Sequence, residues 1–267
     1  MACTHCFNNS GPASPDMSAE VFAQLVPFLR AVNPPMLGIS GGEFTEHPDF
    51  ASWILRLSNE VQSELLLISN GDFLFNSQKT EQICRLLQCP SITLLQITTD
   101  PRFYPRSAEI LARKPDFLNL GPKVCFCEEI APVLYPLGRA KENHANLLAL
   151  QARPSCANLF LIPRQKVLTF PQLILYLQVR MQPYTSVCKP CIDPQGYLHA
   201  GESFLCQTIG HISDPLEKIY RQLQTGHPCN RCGLQTNLPG NALALLNPGN
   251  SPKSLNMFLE RYLLWVY

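Results

Sequence analysis

Short apolar runs alternate with segments of helical periodicity over most of the chain. Runs of the length and composition of buried parallel strands stand at 36–40, 65–69 and 92–98. Apolar residues that recur every three or four positions predict helices over 18–32, 49–61 and 77–87. Repeated β–α units of this kind predict an α/β fold with a parallel sheet or barrel.

Glycine and polar residues collect just after these strands, as "SGGE", "SNG" and "TTD". In parallel α/β folds, ligands bind at the edge formed by the carboxyl ends of the strands. Two further strands, near 124–130 and 158–162, and a helix at about 141–151 continue the alternation. The alternation weakens after about 163, where prolines and then cysteines take over, so we place a boundary near 165.

Composition narrows the possible classes of function. The 267 residues include 21 basic and 20 acidic side chains, which leaves no cationic excess for general nucleic-acid binding. No apolar run reaches the roughly 20 residues that span a bilayer, and no signal-peptide pattern is present. We therefore expect a cytoplasmic protein without a nucleic-acid or membrane partner. Twelve cysteines in such a protein indicate metal ligands before disulfides.

Six of the cysteines form three C-x-x-C pairs, a spacing that lets one tight turn present two thiolates to a metal or cluster. The pairs are Cys3/Cys6, Cys188/Cys191 and Cys229/Cys232. Cys84 and Cys156 stand among apolar residues, which favours buried thiols. Cys125 and Cys127 are two positions apart, so on a strand both would face the same side. A role as metal ligands is the less favoured interpretation for this pair.

Several motifs resemble those of the radical S-adenosylmethionine (SAM) superfamily. In order, they are "MACTHCFNNSGP", "LGISGGEFTEHPDF", "LLLISNG", "LQITTD" and "YPLGRAKEN". The resemblance runs from residue 1 to about 165 and implies a partial (β/α)6 TIM-like barrel of parallel strands. It also implies a [4Fe–4S] cluster held by the family pattern C-x-x-x-C-x-aromatic-C, with SAM bound to the iron that the three thiolates leave open.

The N-terminal motif matches this pattern only in part. Cys3 and Cys6 correspond to its second and third cysteines, and His5 stands where the family has an aromatic residue beside SAM. The first cysteine, and the strand that leads into it, would precede Met1. We therefore expect a truncated product in which Met1 is an internal residue of the motif. The alternative is a diverged protein with two thiolates.

The resemblance also implies the SAM-binding residues. Gly41, Gly42 and Glu43 match the family's GGE motif, whose oxygens accept hydrogen bonds from the SAM ammonium; alone, this motif would indicate an ordinary turn. Short polar side chains end the next two strands, and those after the strand at 92–98 would lie near the ribose. Arg139 resembles the basic residue that faces the methionine carboxylate, and a solvated surface arginine is the alternative. The strand-end residues are Ser69, Asn70, Thr99 and Asp100.

The C-terminal third carries a second cysteine group. Its spacing is Cys188-x2-Cys191-x14-Cys206, followed by Cys229 and Cys232, with a turn at 194–196 suited to a hairpin. It resembles the SPASM and twitch extensions of radical SAM enzymes, which implies an auxiliary [4Fe–4S] cluster. Five cysteines are more than the four that one cluster or zinc site needs, and they are too few to ligate two clusters fully. We therefore expect one auxiliary cluster. A structural zinc ribbon of the two C-x-x-C pairs is the alternative.

These expectations define three segments: a radical SAM core over 1–165, a cysteine-rich extension over 166–250, and a C-terminal helix over 251–267. The resemblance implies reductive cleavage of SAM to a 5′-deoxyadenosyl radical that abstracts hydrogen. A peptide or small-molecule substrate, and an electron donor such as a flavodoxin or ferredoxin, are the expected partners. No nucleophilic or acid–base side chain is predicted. The alternatives are a non-catalytic zinc-binding protein and a pseudoenzyme that binds a peptide or partner through a degenerate cluster site.

Overall fold

A computed structural model describes residues 6, 8–34, 36–101, 104–127, 138–143, 191–199 and 203–224. The chain divides into two compact units, Met1–Ala131 and Pro132–Tyr267. The predicted boundary near 165 falls outside the described residues and stays a prediction. The same holds for the predicted strand at 158–162 and the predicted helix at 251–267.

The first unit contains a four-stranded parallel sheet. Its strands are β1 (Met36–Ile39), β2 (Glu64–Ser69), β3 (Ile92–Thr98) and β4 (Val124–Cys127). Their order in the sheet follows the chain, β1-β2-β3-β4, and every neighbouring pair is parallel. The predicted α/β class and the first three strands are confirmed. Within the described ranges the sheet is open, so closure into a partial barrel stays a prediction.

Helices connect the strands of this sheet. They are α1 (Ala19–Val32), α2 (Phe50–Glu60), α3 (Ser77–Leu87), α4 (Ser107–Ala112) and α5 (Lys114–Leu118). Helices α1 and α2 each start one residue later than predicted. The residue Ser18 caps α1, because its side chain accepts a hydrogen bond from the Val21 N–H at 3.3 Å. The short helices α4 and α5 were not predicted, since five or six residues do not display a helical period.

The core of the first unit lies on both faces of the two central strands. Leu65, Leu66 and Leu67 of β2 are all almost fully buried, although successive side chains of a strand point to opposite faces. Leu95 and Ile97 of β3 are fully buried as well. Burial of each such side chain stabilises the fold by about 1.5–3 kcal/mol. Two-sided burial explains why these strands are continuous apolar runs in the sequence.

The described part of the second unit contains two helices and a small antiparallel sheet. These are α6 (Gly138–Glu142), β5 (Cys191–Ile192), β6 (Tyr197–His199), β7 (Thr208–His211) and α7 (Leu216–Gln224). The sheet order is β5-β6-β7. The predicted hairpin at 194–196 is confirmed and joins β5 to β6. Of the predicted helix at 141–151 only the start is described, where α6 ends. No helix in the described ranges is long and apolar enough to cross a membrane.

Candidate cofactor-binding site

The loops that follow β1, β2 and β3 lie along one edge of the sheet, because the strands are parallel and paired in register. Ser69, the last residue of β2, pairs with Ile97, two residues before Thr99. Glu43 follows β1 and approaches the same edge. The predicted residues that follow these three strands therefore lie along the carboxyl edge of the sheet: Gly41, Gly42, Glu43, Ser69, Asn70, Thr99 and Asp100.

The carboxylate of Glu43 joins the first two of these loops. Its Oε2 accepts a hydrogen bond from the backbone N–H of Asn70 at 2.7 Å. The Ser69 hydroxyl lies within 3.0 and 3.1 Å of its two oxygens. The Thr45 hydroxyl and N–H donate to Oε1 at 2.8 and 3.3 Å. Four donors of the chain thus approach this carboxylate, and the loop after β1 is fixed to the end of β2.

Burial raises the pKa of Glu43, because a charged carboxylate is less well solvated inside the protein. The hydrogen bonds from Asn70, Thr45 and Ser69 favour the charged form and lower the pKa by less than burial raises it. The predicted bond from Glu43 to a ligand ammonium stays a prediction. The structure adds a role within the chain, in which Glu43 sets the distance between two strand-end loops.

The two glycines before Glu43 leave the loop backbone accessible. Gly41 has a φ of +94°, a left-handed conformation that glycine adopts without strain. A Cβ atom added there would have no neighbour within 4 Å, whereas one added to Gly42 would lie 3.6 Å from the Cβ of Ser10. Ser10 stands four residues after the half-buried Cys6. The segment that follows the predicted cluster motif therefore lies beside the glycine loop.

The residues after β3 are buried. Thr99 and Asp100 are 0% and 1% exposed. The Thr99 hydroxyl has no hydrogen-bond partner among the residues that the structure describes. A buried hydroxyl without a partner costs about 1–3 kcal/mol, so such a group calls for an explanation.

Asn70, at the end of β2, is also buried and caps the turn that follows. Its side-chain oxygen accepts a bond from the N–H of Asp72 at 2.8 Å. Burial raises the pKa of Asp72, and Arg106, 3.1 Å away, acts in the opposite direction. The two polar strand ends thus differ: the side chains after β2 are engaged by the chain, and the Thr99 hydroxyl is not.

The remaining predicted site residues belong to the second unit or lie outside the described ranges. Arg139 lies in α6 of the second unit, where its carbonyl accepts bonds from the backbone and side-chain N–H groups of Asn143. The described ranges contain no group of three His, Cys, Asp or Glu side chains that could hold a metal ion. The cysteine ligand sets thus stay predictions. The residues outside those ranges are Cys3, His5, Cys188, Cys229 and Cys232.

Two predicted ligands of the auxiliary cluster, Cys191 and Cys206, are neighbours of the same residue, His199. In the β5–β6 pairing, Cys191 is the partner of His199. A ring nitrogen of His199 lies 3.3 Å from the carbonyl oxygen of Cys206, and the other lies 2.9 Å from a carboxylate oxygen of Asp193. His199 and Asp193 are both buried. Sequence reasoning missed them; the only signal was a pair of polar residues on either side of the predicted turn.

Comparisons with known proteins add little. No family model matches the chain. No curated protein matches it either. Among solved structures, the chain is similar to the crystal structure of BtrN in complex with AdoMet and 2-DOIA. The match has 14% identity and a TM-score of 0.49, and it covers 88% of this chain and 90% of that one. Both values are too low for the likeness to assign a fold or a function to this chain.

Proposed function

We propose that this chain is a radical SAM iron–sulfur protein that reductively cleaves SAM to a 5′-deoxyadenosyl radical for hydrogen abstraction. The observation that carries the proposal is the approach of Ser10 to Gly42. These residues belong to the two motifs that resemble the cluster-binding and SAM-binding segments of the family. The proposed chemistry requires those segments to be neighbours, because SAM binds to the cluster itself.

The strand edge supports the proposal in a second way. The buried Thr99 hydroxyl has no partner within the described ranges, and a ribose hydroxyl is a partner of matching size and polarity. The open space at Gly41 leaves backbone oxygens available to an ammonium group. Cys3 and Cys6 would hold the cluster. SAM would be bound by Gly41, Gly42, Glu43, Ser69, Asn70, Thr99 and Asp100.

In this proposal the bound cofactors supply the one-electron chemistry, and the chain orients SAM and keeps water away. The buried leucine and isoleucine side chains of β2 and β3 form a rigid, apolar base beneath the strand-end loops. The bonds between Glu43 and the end of β2 fix the loop that would carry the SAM ammonium site. Side chains held on rigid elements in this way keep a ligand in one orientation.

Further parts of the proposal extend the resemblance to the rest of the chain. We infer a partial (β/α)6 barrel for the core, with Arg139 facing the methionine carboxylate. The five C-terminal cysteines would hold one auxiliary [4Fe–4S] cluster. A flavodoxin or ferredoxin would deliver the electron, and the substrate would be a peptide or a small molecule.

The test uses the full chain, purified without oxygen and reconstituted with iron and sulfide. After reduction and addition of SAM, we expect 5′-deoxyadenosine and methionine in equal amounts by mass spectrometry. Cys6→Ala should abolish both products. Cys84→Ala is the matched control, because Cys84 is a similarly half-buried thiol on helix α3, away from the motifs, and should leave them unchanged.

Three results would contradict the proposal in different ways. A colourless protein that retains zinc alone would favour the zinc-binding alternative. A reconstituted cluster that binds SAM without forming 5′-deoxyadenosine would favour the pseudoenzyme. Equal product formation by Cys6→Ala and the unsubstituted chain would remove the N-terminal motif from the reaction altogether.

A further inference from the structure

Both ring nitrogens of the buried His199 face hydrogen-bond acceptors. Nδ1 lies 3.3 Å from the backbone oxygen of Cys206, and Nε2 lies 2.9 Å from Oδ2 of Asp193. A backbone carbonyl oxygen only accepts hydrogen bonds. Nδ1 of His199 must therefore carry the proton and donate it to Cys206, which fixes the direction of this bond.

Asp193 is itself immobilised by the hairpin turn. Its Oδ1 accepts hydrogen bonds from the backbone N–H groups of Gln195 and Tyr197, each at 2.9 Å. Its side chain is 10% exposed, and that of His199 is 6% exposed. The backbone of the turn thus fixes the Asp193 carboxylate through two hydrogen bonds. The carboxylate in turn contacts the imidazole ring, and the ring donates to the backbone carbonyl of Cys206.

Cys191 lies directly across the sheet from the same histidine. In an antiparallel pair, the Cβ atoms of opposite residues are about 4.5–5.5 Å apart and point to the same face. The Cys206 N–H closes a turn by donating to the carbonyl of Ser203 at 2.9 Å. His199 is therefore the side chain that links β5, which carries Cys191, to the turn that carries Cys206.

We propose that His199 is a positioning residue for the auxiliary cluster, with Asp193 as the group that orients its ring. This inference rests on the auxiliary cluster of the proposed function. His199 holds the Cys206 turn against the hairpin and thereby sets the separation of two cluster thiolates. We assign it a positioning role rather than that of a ligand, because both of its ring nitrogens already have partners within the chain. Hydrogen-bonded partners of metal ligands commonly tune affinity by about 10- to 100-fold.

The test uses the full chain with Cys3→Ala and Cys6→Ala, which removes the proposed SAM cluster and leaves the auxiliary one. After anaerobic reconstitution, this parent should hold about four iron and four sulfide ions, as a [4Fe–4S] cluster requires. The measurements are the rate of iron loss to a chelator and the electron paramagnetic resonance spectrum of the reduced cluster. Circular dichroism checks that each variant is folded.

Two substitutions separate the bonds of His199. The Asn amide nitrogen lies near the position of Nδ1, so His199→Asn keeps a donor for the Cys206 carbonyl. The Gln amide reaches the position of Nε2, so His199→Gln keeps only the bond to Asp193. We expect His199→Gln to lose iron about 10- to 100-fold faster than the parent, with an altered spectrum. His199→Asn should stay close to the parent in both measurements.

His211→Gln is the matched control. His211 lies on β7 and contacts the same turn, through the Gln195 oxygen at 3.0 Å, while its other nitrogen contacts the Ser213 hydroxyl at 2.7 Å. It should leave iron loss unchanged. Equal rates in the parent and His199→Gln would overturn the inference, as would equal acceleration by His199→Gln and His211→Gln. Failure of the Cys3→Ala/Cys6→Ala parent to bind any cluster would also overturn the inference. The proposed cleavage of SAM is tested separately, by measuring 5′-deoxyadenosine formed by the unsubstituted chain.

Discussion

The backbone N–H of Asn70 donates a 2.7 Å hydrogen bond to the carboxylate of Glu43, across a sequence separation of 27 residues. This bond, with those from Ser69 and Thr45, joins the loop after β1 to the end of β2. Both loops carry residues that we assign to SAM binding. The geometry of the proposed site therefore depends on one carboxylate.

Glu43→Ala should destabilise the protein. The substitution leaves the Asn70 N–H and the Thr45 and Ser69 hydroxyls without their acceptor in a partly buried place, which costs about 2–3 kcal/mol. Denaturant unfolding of the full chain measures the loss. Glu46→Ala is the control, since Glu46 is exposed and forms only a surface ion pair with Lys79, worth about 0–1 kcal/mol. Equal losses for the two variants would show that the bonds of Glu43 contribute no more than a surface pair.

The stability should depend on pH through Glu43 with a definite sign. Burial raises the pKa of this carboxyl in the folded state above its unfolded value of about 4.3. Between these two values the folded state binds more protons, so its stability falls as pH rises through the window. Glu43→Gln removes this titration and leaves the other groups in place. The free energy of unfolding of the unsubstituted chain, minus that of Glu43→Gln, should therefore decrease from pH 4 upward. A difference that rises over this range would contradict the direction of the shift.

Gly71→Ala should be more destabilising than Gly121→Ala, a substitution at a second glycine whose φ is also positive. Gly71 has a φ of +89°, and an added Cβ would lie 2.8 Å from the Phe117 ring. That ring is fully buried and packs edge-on against Phe73 at 5.7 Å, so it has no room to move. Gly121 also has a positive φ, of +135°, but open space around it.

Both variants place an alanine at a positive φ, and only Gly71→Ala adds a close contact with a buried ring. Overpacking typically costs about 1–3 kcal/mol, and we expect Gly71→Ala to exceed Gly121→Ala by that amount in denaturant unfolding. Indistinguishable losses would mean that the contact with Phe117 relaxes without cost.

Thr99→Val should stabilise the ligand-free protein and weaken SAM binding. Valine has nearly the same shape and removes a buried hydroxyl that has no partner in the described ranges, which is worth about 1 kcal/mol or more. Thr45→Val is the control, because Thr45 is equally buried but its hydroxyl bonds to Glu43 at 2.8 Å. Thr45→Val should destabilise the protein, because it removes this bond. Thermal unfolding and SAM titration measure both effects, and unchanged SAM binding by Thr99→Val would remove Thr99 from the proposed site.

The sequence by itself determined the order and limits of the main elements of the first unit. Helix α3 and strand β3 fall on the predicted residues, Ser77–Leu87 and Ile92–Thr98. The start of α3 is set locally, since the Asn76 side chain accepts a bond from the Lys79 N–H at 3.1 Å. Caps and apolar periods involve residues a few positions apart, so they are visible in the sequence.

Only the tertiary structure decided how the polar side chains are used. The sequence placed Glu43, Ser69 and Asn70 at strand ends, but not the bonds that join them. The sequence likewise did not show that His199 lies between Asp193 and Cys206, because such bonds depend on distances through space. That the Thr99 hydroxyl has no partner in the described part of the chain is visible only after the sheet is assembled, since whether a group is satisfied depends on every neighbour that the fold brings around it.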